Sequence, residues 1–402
     1  MKWLIDELER IKRERLYRKL RILETGQVPW VSVDGRQLLM LSSNNYLGLT
    51  EHPLVKMATV DAVEKYGTGS GGSRLVTGTT DLYISLEETL ADFKGAERCL
   101  VFSAGYLANI ACLTSLMKKG DVILSDSLNH ASIIDGCRLS DADVKVYAHG
   151  NMEHLRGLLK ESAQYQHRLI VTDGVFSMDG DLAPLPEIVE LAEDFDAVVM
   201  VDDAHATGIF GKKRSGTVEH FKMHDKIDIQ MGTLSKALGS MGGYVAGREE
   251  LIEYLINTAR SFIFTTALPP PAVGAAIAAI KVVQQEDPAK KLWQNIREYT
   301  TSLNNGGLSL ATNSQIVPIL LGETACSAYR KRAGVLPGNE GATCAVAERL
   351  FERGIYVTAI RPPSVPKNGE RIRTTLMSTH TREDVHIAAD IILETLEECG
   401  LL

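Results

Sequence analysis

A chain of 402 residues with 45% hydrophobic and 23% charged side chains and no low-complexity tract has an ordinary globular composition, which argues against disorder or a fibre. It exceeds the ~250–300 residues at which single cores stop growing, so two domains are expected. A net charge of −8 argues against nucleic acid as the main partner. The most apolar run, PPPAVGAAIAAIKVV, is prolyl at one end and shorter than the ~18–20 residues of a membrane span, so no span is expected.

Near the N-terminus, ERIKRERLYRKLR carries seven Lys/Arg in a short helical stretch, read as a solvated helix face ahead of a phosphate-binding one. Asp6, Glu7, Glu9 and Glu14 are too many acids for a mitochondrial presequence, and no signal-peptide core follows, so a cytoplasmic protein is expected. The segment LVKMATVDAVEKY has the apolar spacing of an amphipathic helix. After it comes YGTGSGGSR, in which Gly67, Gly69 and Gly72 satisfy G-x-G-x-x-G. That spacing makes a dinucleotide turn only between an apolar strand and a helix, and here a helix precedes it while SRLVTGTT, rich in breakers, follows. NAD binding is not expected.

From about residue 95 to 250 short apolar runs alternate with amphipathic stretches. RCLVFS, DVILSD, VKVYAH, HRLIVTDG, AVVMVDD, IDIQMGT and GGYVAG read as strands, several too uniformly apolar for a half-exposed antiparallel sheet. The pattern predicts an α/β domain, a mostly parallel sheet with helices on both faces. An alanine-rich helix follows near 271–284, then charged helices, the strands SQIVPILL, IYVTAI and RIRTTLM, and a C-terminal helix. The expected division is an N-terminal helical arm (1–40), a large α/β domain (41–284) and a small α+β domain (285–402), with the arm completing the last. Cysteines 99, 112, 137, 326, 344 and 399 lack C-x-x-C spacing, so neither a metal nor a disulfide framework is expected.

Ligands of open α/β sheets sit beyond the carboxyl ends of the strands. There, Lys236 stands among small residues in GTLSKALGSMGG, just after a buried strand. A lysine in a desolvated pocket loses its proton more readily and attacks carbonyls, the requirement for a Schiff base, although an exposed loop lysine would read the same in isolation. Asp202 ends VVMVDD, where a buried carboxylate would keep the ring nitrogen of pyridoxal phosphate protonated; strand-end Asp is also a turn residue. His205 could bond the cofactor's phenolic oxygen and His130 could lie against its ring, each with a structural histidine as alternative. FSAGYLANI turns through Gly105 and Tyr106 into a helix N-terminus suited to phosphate. Five such signals at the ends of one sheet point to a single site.

The motifs SSNNYLGL, YGTGSGGSRLVTGT, DSLNHASIIDG, TDGVFSMDGDLAPL, VDDAHATGIFG, TLSKALGSMGG and FTTALPPP occur in order along nearly the whole chain. Together they resemble the α-oxoamine synthases, fold-type-I, aspartate-aminotransferase-like enzymes that join an amino acid to an acyl thioester with loss of carbon dioxide. The resemblance implies pyridoxal 5'-phosphate as cofactor, with Lys236 as its Schiff-base lysine and His130 stacked on the ring. It further implies Asp202 on the pyridine nitrogen, His205 and Ser177 near the phenolic oxygen, and Gly105, Tyr106 and Thr233 on the phosphate side. Thr265 and Thr266 would reach the cofactor of a second subunit in a homodimer with shared active sites. The run VTAIRPPSVPKNGERIRTT is similar to the branch that condenses L-alanine with a pimeloyl thioester in biotin synthesis. Ser364 replaces the more usual threonine there. Arg373 would hold the amino-acid carboxylate, Arg21 the acyl substrate, and Asn44 would also contact substrate. The alternatives are glycine with acetyl-CoA, the same chemistry in different pockets, and a non-catalytic partner subunit of the same fold.

Overall fold

The computed structural model describes residues 1–14, 16–18, 20–321, 339–362, 364–366 and 369–402. They form two compact units, one of Asn44–Lys290 and one of Met1–Ser43 with Lys291–Leu402. The second unit begins with α1 (Lys2–Arg13), no residue of which is buried. The helix closes at Glu14, so most of the basic stretch lies beyond it; the apolar positions Leu4, Leu8 and Ile11, spaced for one helix face, have no successor there. The arm is therefore not helical throughout. It continues as an antiparallel hairpin of β1 (Trp30–Val33) and β2 (Arg36–Met40). Asp34 and Gly35 join the strands at φ 51° and 72°, the left-handed pair that an Asp-Gly hairpin turn requires.

The large unit opens with α2 (Pro53–Tyr66), which has proline in its first turn, where the missing N–H costs nothing. The glycine loop follows it, and a single π-helical turn over Arg74–Gly78 separates the loop from α3 (Asp81–Lys94). No strand enters the loop. Instead it packs on the chain's own FTTALPP segment: the Ala267 amide donates to the Gly72 carbonyl at 3.0 Å, Ser70 Oγ donates to the Ala267 carbonyl at 2.8 Å, and Ser73 bridges Thr266. A Cβ on Gly78 would meet the Gly72 carbonyl and Ala267, so here glycine permits backbone to approach backbone.

Seven strands make the central sheet: β3 (Arg98–Phe102), β4 (Val122–Asp126), β5 (Asp143–Tyr147), β6 (Arg168–Asp173), β7 (Val198–Asp202), β8 (Ile229–Thr233) and β9 (Gly243–Gly247). Their order is β3-β9-β8-β7-β6-β4-β5, with β9 antiparallel to both neighbours and the rest parallel. Alternate residues enter cores on opposite faces. Ile123, Leu169, Val171 and Met200 pack with Cys112 of α4 (Gly105–Leu116) and Ile133 of α5 (Ala131–Leu139). Val122, Leu124, Ile170, Val199 and Val201 pack with Leu155, Leu159, Leu185 and Ile188. Burial on both faces is why these strands read as continuous apolar runs.

Two ionic anchors fix the loops at the carboxyl edge. Lys94 and Asp203 are fully buried, Nζ to Oδ2 2.9 Å, and Nζ also donates to the Ser215 carbonyl at 2.6 Å. Burial alone would favour the neutral amine; Asp203, together with Tyr244 and Cys99, outweighs it and holds Lys94 above its ordinary pKa. Asp203 Oδ1 accepts the Thr217 amide and hydroxyl, and a side chain on Gly216 (φ 138°) would collide with Oδ2. The second anchor is His149, whose Nδ1 bonds Asp126 at 3.0 Å and whose Nε2 bonds Asp181 at 2.8 Å. These two hydrogen bonds push the imidazole up to about 10.

The chain then re-enters the smaller unit through the helix Ala289–Asn305. There β10 (Ile316–Leu320) and β12 (Thr358–Ile360) flank β13 (Arg371–Thr375), all antiparallel. The short β11 (Ile355–Tyr356) runs parallel to β2, so the N-terminal hairpin and the C-terminal segment share a sheet. The last helix, Arg382–Glu398, starts with a Thr381/Asp384 capping box, and Asp384 also takes the Trp30 indole N–H at 2.7 Å. Cys99, Cys112, Cys137 and Cys399 are buried, Cys344 is partly so, and all five are unbridged; Cys326 lies outside the described residues. Among the described residues, no helix is long and apolar enough to cross a membrane.

Replacing Asp203 with alanine strands a buried ammonium and is expected to cost about 3–5 kcal/mol in urea unfolding. His149 acts with the opposite sense of pH to a carboxylate. Its folded pKa of about 10 lies above the ordinary imidazole value of 6.5, so its stabilisation is complete below about 6.5 and fades as pH climbs toward 10. The stability gap between the wild type and His149→Gln, measured by denaturation across that range, is expected to narrow as pH rises.

Candidate active site

The carboxyl ends of β6, β7 and β8 and the turn after β4 border one cavity of about 210 Å³. Gly105, Tyr106, His130, Asp202, His205, Thr233 and Lys236 all line it. Strand pairing accounts for much of this: Asp202 lies opposite Asp173 on β6 and opposite Met231 on β8. The volume suits one substituted ring, since sites for larger ligands run to ~300–1,000 Å³.

At one side, Lys236 Nζ lies 2.7 Å from His205 Nε2. His205 is buried, and its Nδ1 lies 2.7 Å from the hydroxyl of the fully buried Tyr46, which donates to Asn44 Oδ1 at 2.9 Å. At the other side, Asp202 is buried with both oxygens engaged: Oδ1 accepts the Ala204 amide at 2.8 Å and Oδ2 accepts Asn109 Nδ2 at 2.8 Å. Asn109 also donates to Ser132 Oγ at 2.8 Å, and Ser132 Oγ is 2.7 Å from His130 Nδ1.

The Ser132 amide points at the same Nδ1 from 3.3 Å. An amide can only donate, so Nδ1 is the bare nitrogen and the proton of a neutral His130 ring sits on Nε2. His130 opens onto the cavity, yet the surrounding walls desolvate it and lower its pKa; Lys236 acts in the same direction and Asp202 against it. Asp173 accepts the His130 amide at 3.1 Å. Burial first, then the adjacent Asp202, pushes its carboxyl well above the ordinary range, because two carboxylates at neighbouring strand ends cannot both be bare in a buried site.

These groups fit pyridoxal phosphate. Asp202 supplies a buried carboxylate for a pyridinium nitrogen, and Lys236 an amine for an aldehyde carbon. The N-terminus of α4 has no side-chain cap, which leaves the first-turn amides of Gly105 and Tyr106 without intrahelical partners and able to take a phosphate. A Cβ on Gly105 would press on Met231 and Thr233 at 3.1 and 3.4 Å, so glycine keeps this wall open. The Thr233 hydroxyl donates to the Gly242 carbonyl at 2.8 Å.

The other expected residues are not among those that line this cavity. Ser177 is in the loop after β6, closed by a Val175–Leu182 bridge, and does not line the cavity. Thr265 borders a water-sized gap beside Ser103, and the Thr266 carbonyl accepts the Ser103 hydroxyl at 2.6 Å. Asn44 faces Tyr46. In the other unit, Arg21 pairs with Glu348 at 2.6 Å, stacks 3.9 Å over Phe351, and with the exposed Ser364 lines a cavity of about 560 Å³. Arg373 is buried on β13 between β10 and β12. Tyr46, Asn109, Ser132 and Asp173 were not anticipated as site residues. Asn109 was within reach of sequence reasoning, since it follows Gly105 by four positions and so shares its helix face; Tyr46 was not, because only the fold brings it to His205.

The sequence pattern of the aminotransferase class I and II family matches residues 36–392. The 8-amino-7-oxononanoate synthase of Thermoanaerobacter pseudethanolicus is 45% identical over 398 residues, covering 98% of this chain and 96% of that protein. The 8-amino-7-oxononanoate synthase 1 of Bacillus subtilis is 44% identical over 402 residues, covering 100% of this chain and 98% of that one. A serine palmitoyltransferase from S. paucimobilis, solved with a bound PLP–myriocin aldimine, superposes with TM-score 0.89 at 30% identity, over 99% of this chain and 98% of that one. With likeness in sequence and in fold from end to end, the chain belongs to the aminotransferase class I and II family and, within it, to the 8-amino-7-oxononanoate synthases.

Proposed function

We propose that the protein condenses L-alanine with a pimeloyl thioester, releasing carbon dioxide and the free thiol and forming 8-amino-7-oxononanoate for biotin synthesis. The observation that carries the reading is the Lys236–His205 contact of 2.7 Å in the cavity that also holds Asp202, in a chain about 45% identical to named synthases. Bound pyridoxal phosphate supplies an electron sink that acidifies the amino acid's α-hydrogen and later accepts the electrons left by carbon dioxide.

The residues do the rest. Asp202, oriented by Asn109 and the Ala204 amide, keeps a proton on the ring nitrogen. Lys236 would hold the cofactor through its aldehyde carbon and, as a free amine, would take the α-proton. His130 presents Nε2–H to the thioester oxygen as charge develops there. The helix N-terminus at Gly105 and Tyr106 holds the phosphate. Arg373 binds the alanine carboxylate in a bidentate fashion, and Arg21 serves the acyl chain. The reading includes a cytoplasmic homodimer in which the Thr265–Thr266 segment serves the second subunit's cofactor. In support, Phe264 beside it is 70% exposed and Val76 77%, apolar surface of the kind that associating faces display.

Product analysis with competing pairs tests the reading. L-alanine with pimeloyl-CoA is expected to turn over faster than glycine with acetyl-CoA; the reverse order would assign the protein to the latter reaction. Lys236→Ala is expected to lower multiple-turnover ketone synthesis by ~10²–10⁴-fold, and an unchanged rate would remove the mechanism.

A further inference from the structure

We propose that Tyr46 is a positioning residue for Lys236, acting through His205 by deciding which ring nitrogen of that histidine carries the proton. A phenol has a single proton to donate. Here it goes to Asn44 Oδ1, 2.9 Å away, while the same oxygen lies 2.7 Å from His205 Nδ1. The phenol oxygen can then only accept from the imidazole, so Nδ1 carries the hydrogen. Nε2 of the neutral ring is left as a lone pair, and it faces Lys236 Nζ at 2.7 Å. The amine is thereby held as an N–H donor, its position set by a line of hydrogen bonds running from Asn44 through Tyr46 and His205.

The setting makes the line consequential. Tyr46 is fully buried and His205 7% exposed, so neither can exchange these bonds for bulk water without loss. Tyr46 also packs its ring 6.1 Å from the His205 ring at a 50° tilt, which fixes the direction in which Nδ1 points. Tyr46 does not line the cavity, and its hydroxyl is linked to the reacting amine through the histidine. The mechanistic consequence rests on Lys236 being the reacting amine, but the protonation pattern of His205 does not depend on that reading.

The test is nitrogen NMR of the full chain carrying ¹⁵N-histidine, without added cofactor, with the His205 signal identified by its loss in His205→Gln. The wild type is expected to show a protonated Nδ1 and a bare Nε2; the opposite pattern would overturn the proposal without any variant of Tyr46. Tyr46→Phe is expected to abolish that preference, and Asn44→Leu to weaken it by freeing the phenol proton. Asn44→Asp, whose carboxylate can only accept, is expected to preserve it, which a merely structural role would not predict. In the cofactor-loaded protein, Tyr46→Phe is expected to lower kcat by about 10²-fold with the KM for alanine within about twofold, since misplacing a reacting group costs rate at this scale. A folded Tyr46→Phe variant with the wild-type His205 pattern and unchanged kcat would overturn the assignment. Loss of activity toward both substrate pairs with the NMR pattern intact would instead count against the reaction proposed above.

Discussion

Charged and polar groups at the carboxyl ends of β6, β7 and β8 are withdrawn from water, and burial there makes any unpartnered group costly. The site is organised by that constraint. Asp202 accepts from an amide and from Asn109, His130 accepts from Ser132, and His205 donates from Nδ1 to Tyr46 and faces Lys236 with its other nitrogen. Each partner removes a desolvation cost and, in the same contact, fixes an orientation. Two proton positions follow from donor counting alone. The Ser132 amide makes Nδ1 of His130 the bare nitrogen, and the Tyr46 hydroxyl, committed to Asn44, makes Nδ1 of His205 the protonated one.

The same logic extends one layer out. Lys94 and Asp203 neutralise each other directly behind the turn that carries Asp202 and His205, and Asp203 also gathers Thr217. His149 joins Asp126, at the end of β4, to Asp181 in the loop after β6. The turn leading to His130 and the loop containing Ser177 are therefore held by one protonated imidazole. These anchors convert flexible loops into fixed ones, which a site with reacting groups about 3 Å apart requires.

The sheet was legible because its signal is local. Most strands of the large unit are apolar runs bounded by turn residues, and burial on both faces removes the alternation that would otherwise blur them; the edge strand β5 is the exception, largely exposed. Lys236, Asp202, His205, His130 and Gly105 stand just past those runs, where an open α/β sheet exposes its polar chemistry. The glycine loop shows the limit of a motif. Its spacing matches a phosphate turn, but in the structure the loop lies against the chain's own FTTALPP segment, through the Gly72–Ala267 hydrogen bond and the Ser73–Thr266 bridge. The helical reading of the basic N-terminal stretch ran past Arg13 because charge density alone does not sustain a helix without an apolar face.

By itself the sequence determined which strands form, which residues stand at their ends and what chemistry those residue types support, since these depend on side chains a few positions apart. Tertiary structure alone decided the partnerships. Tyr46 meets His205 across 159 positions, Lys94 meets Asp203 across 109, and Asn109 meets Asp202 across 93. The N-terminal hairpin joins a strand more than three hundred positions away through the pairing of Leu39 with Ile355. Hydrogen-bond direction and desolvation depend on where chain segments finally meet, and no local pattern encodes that meeting.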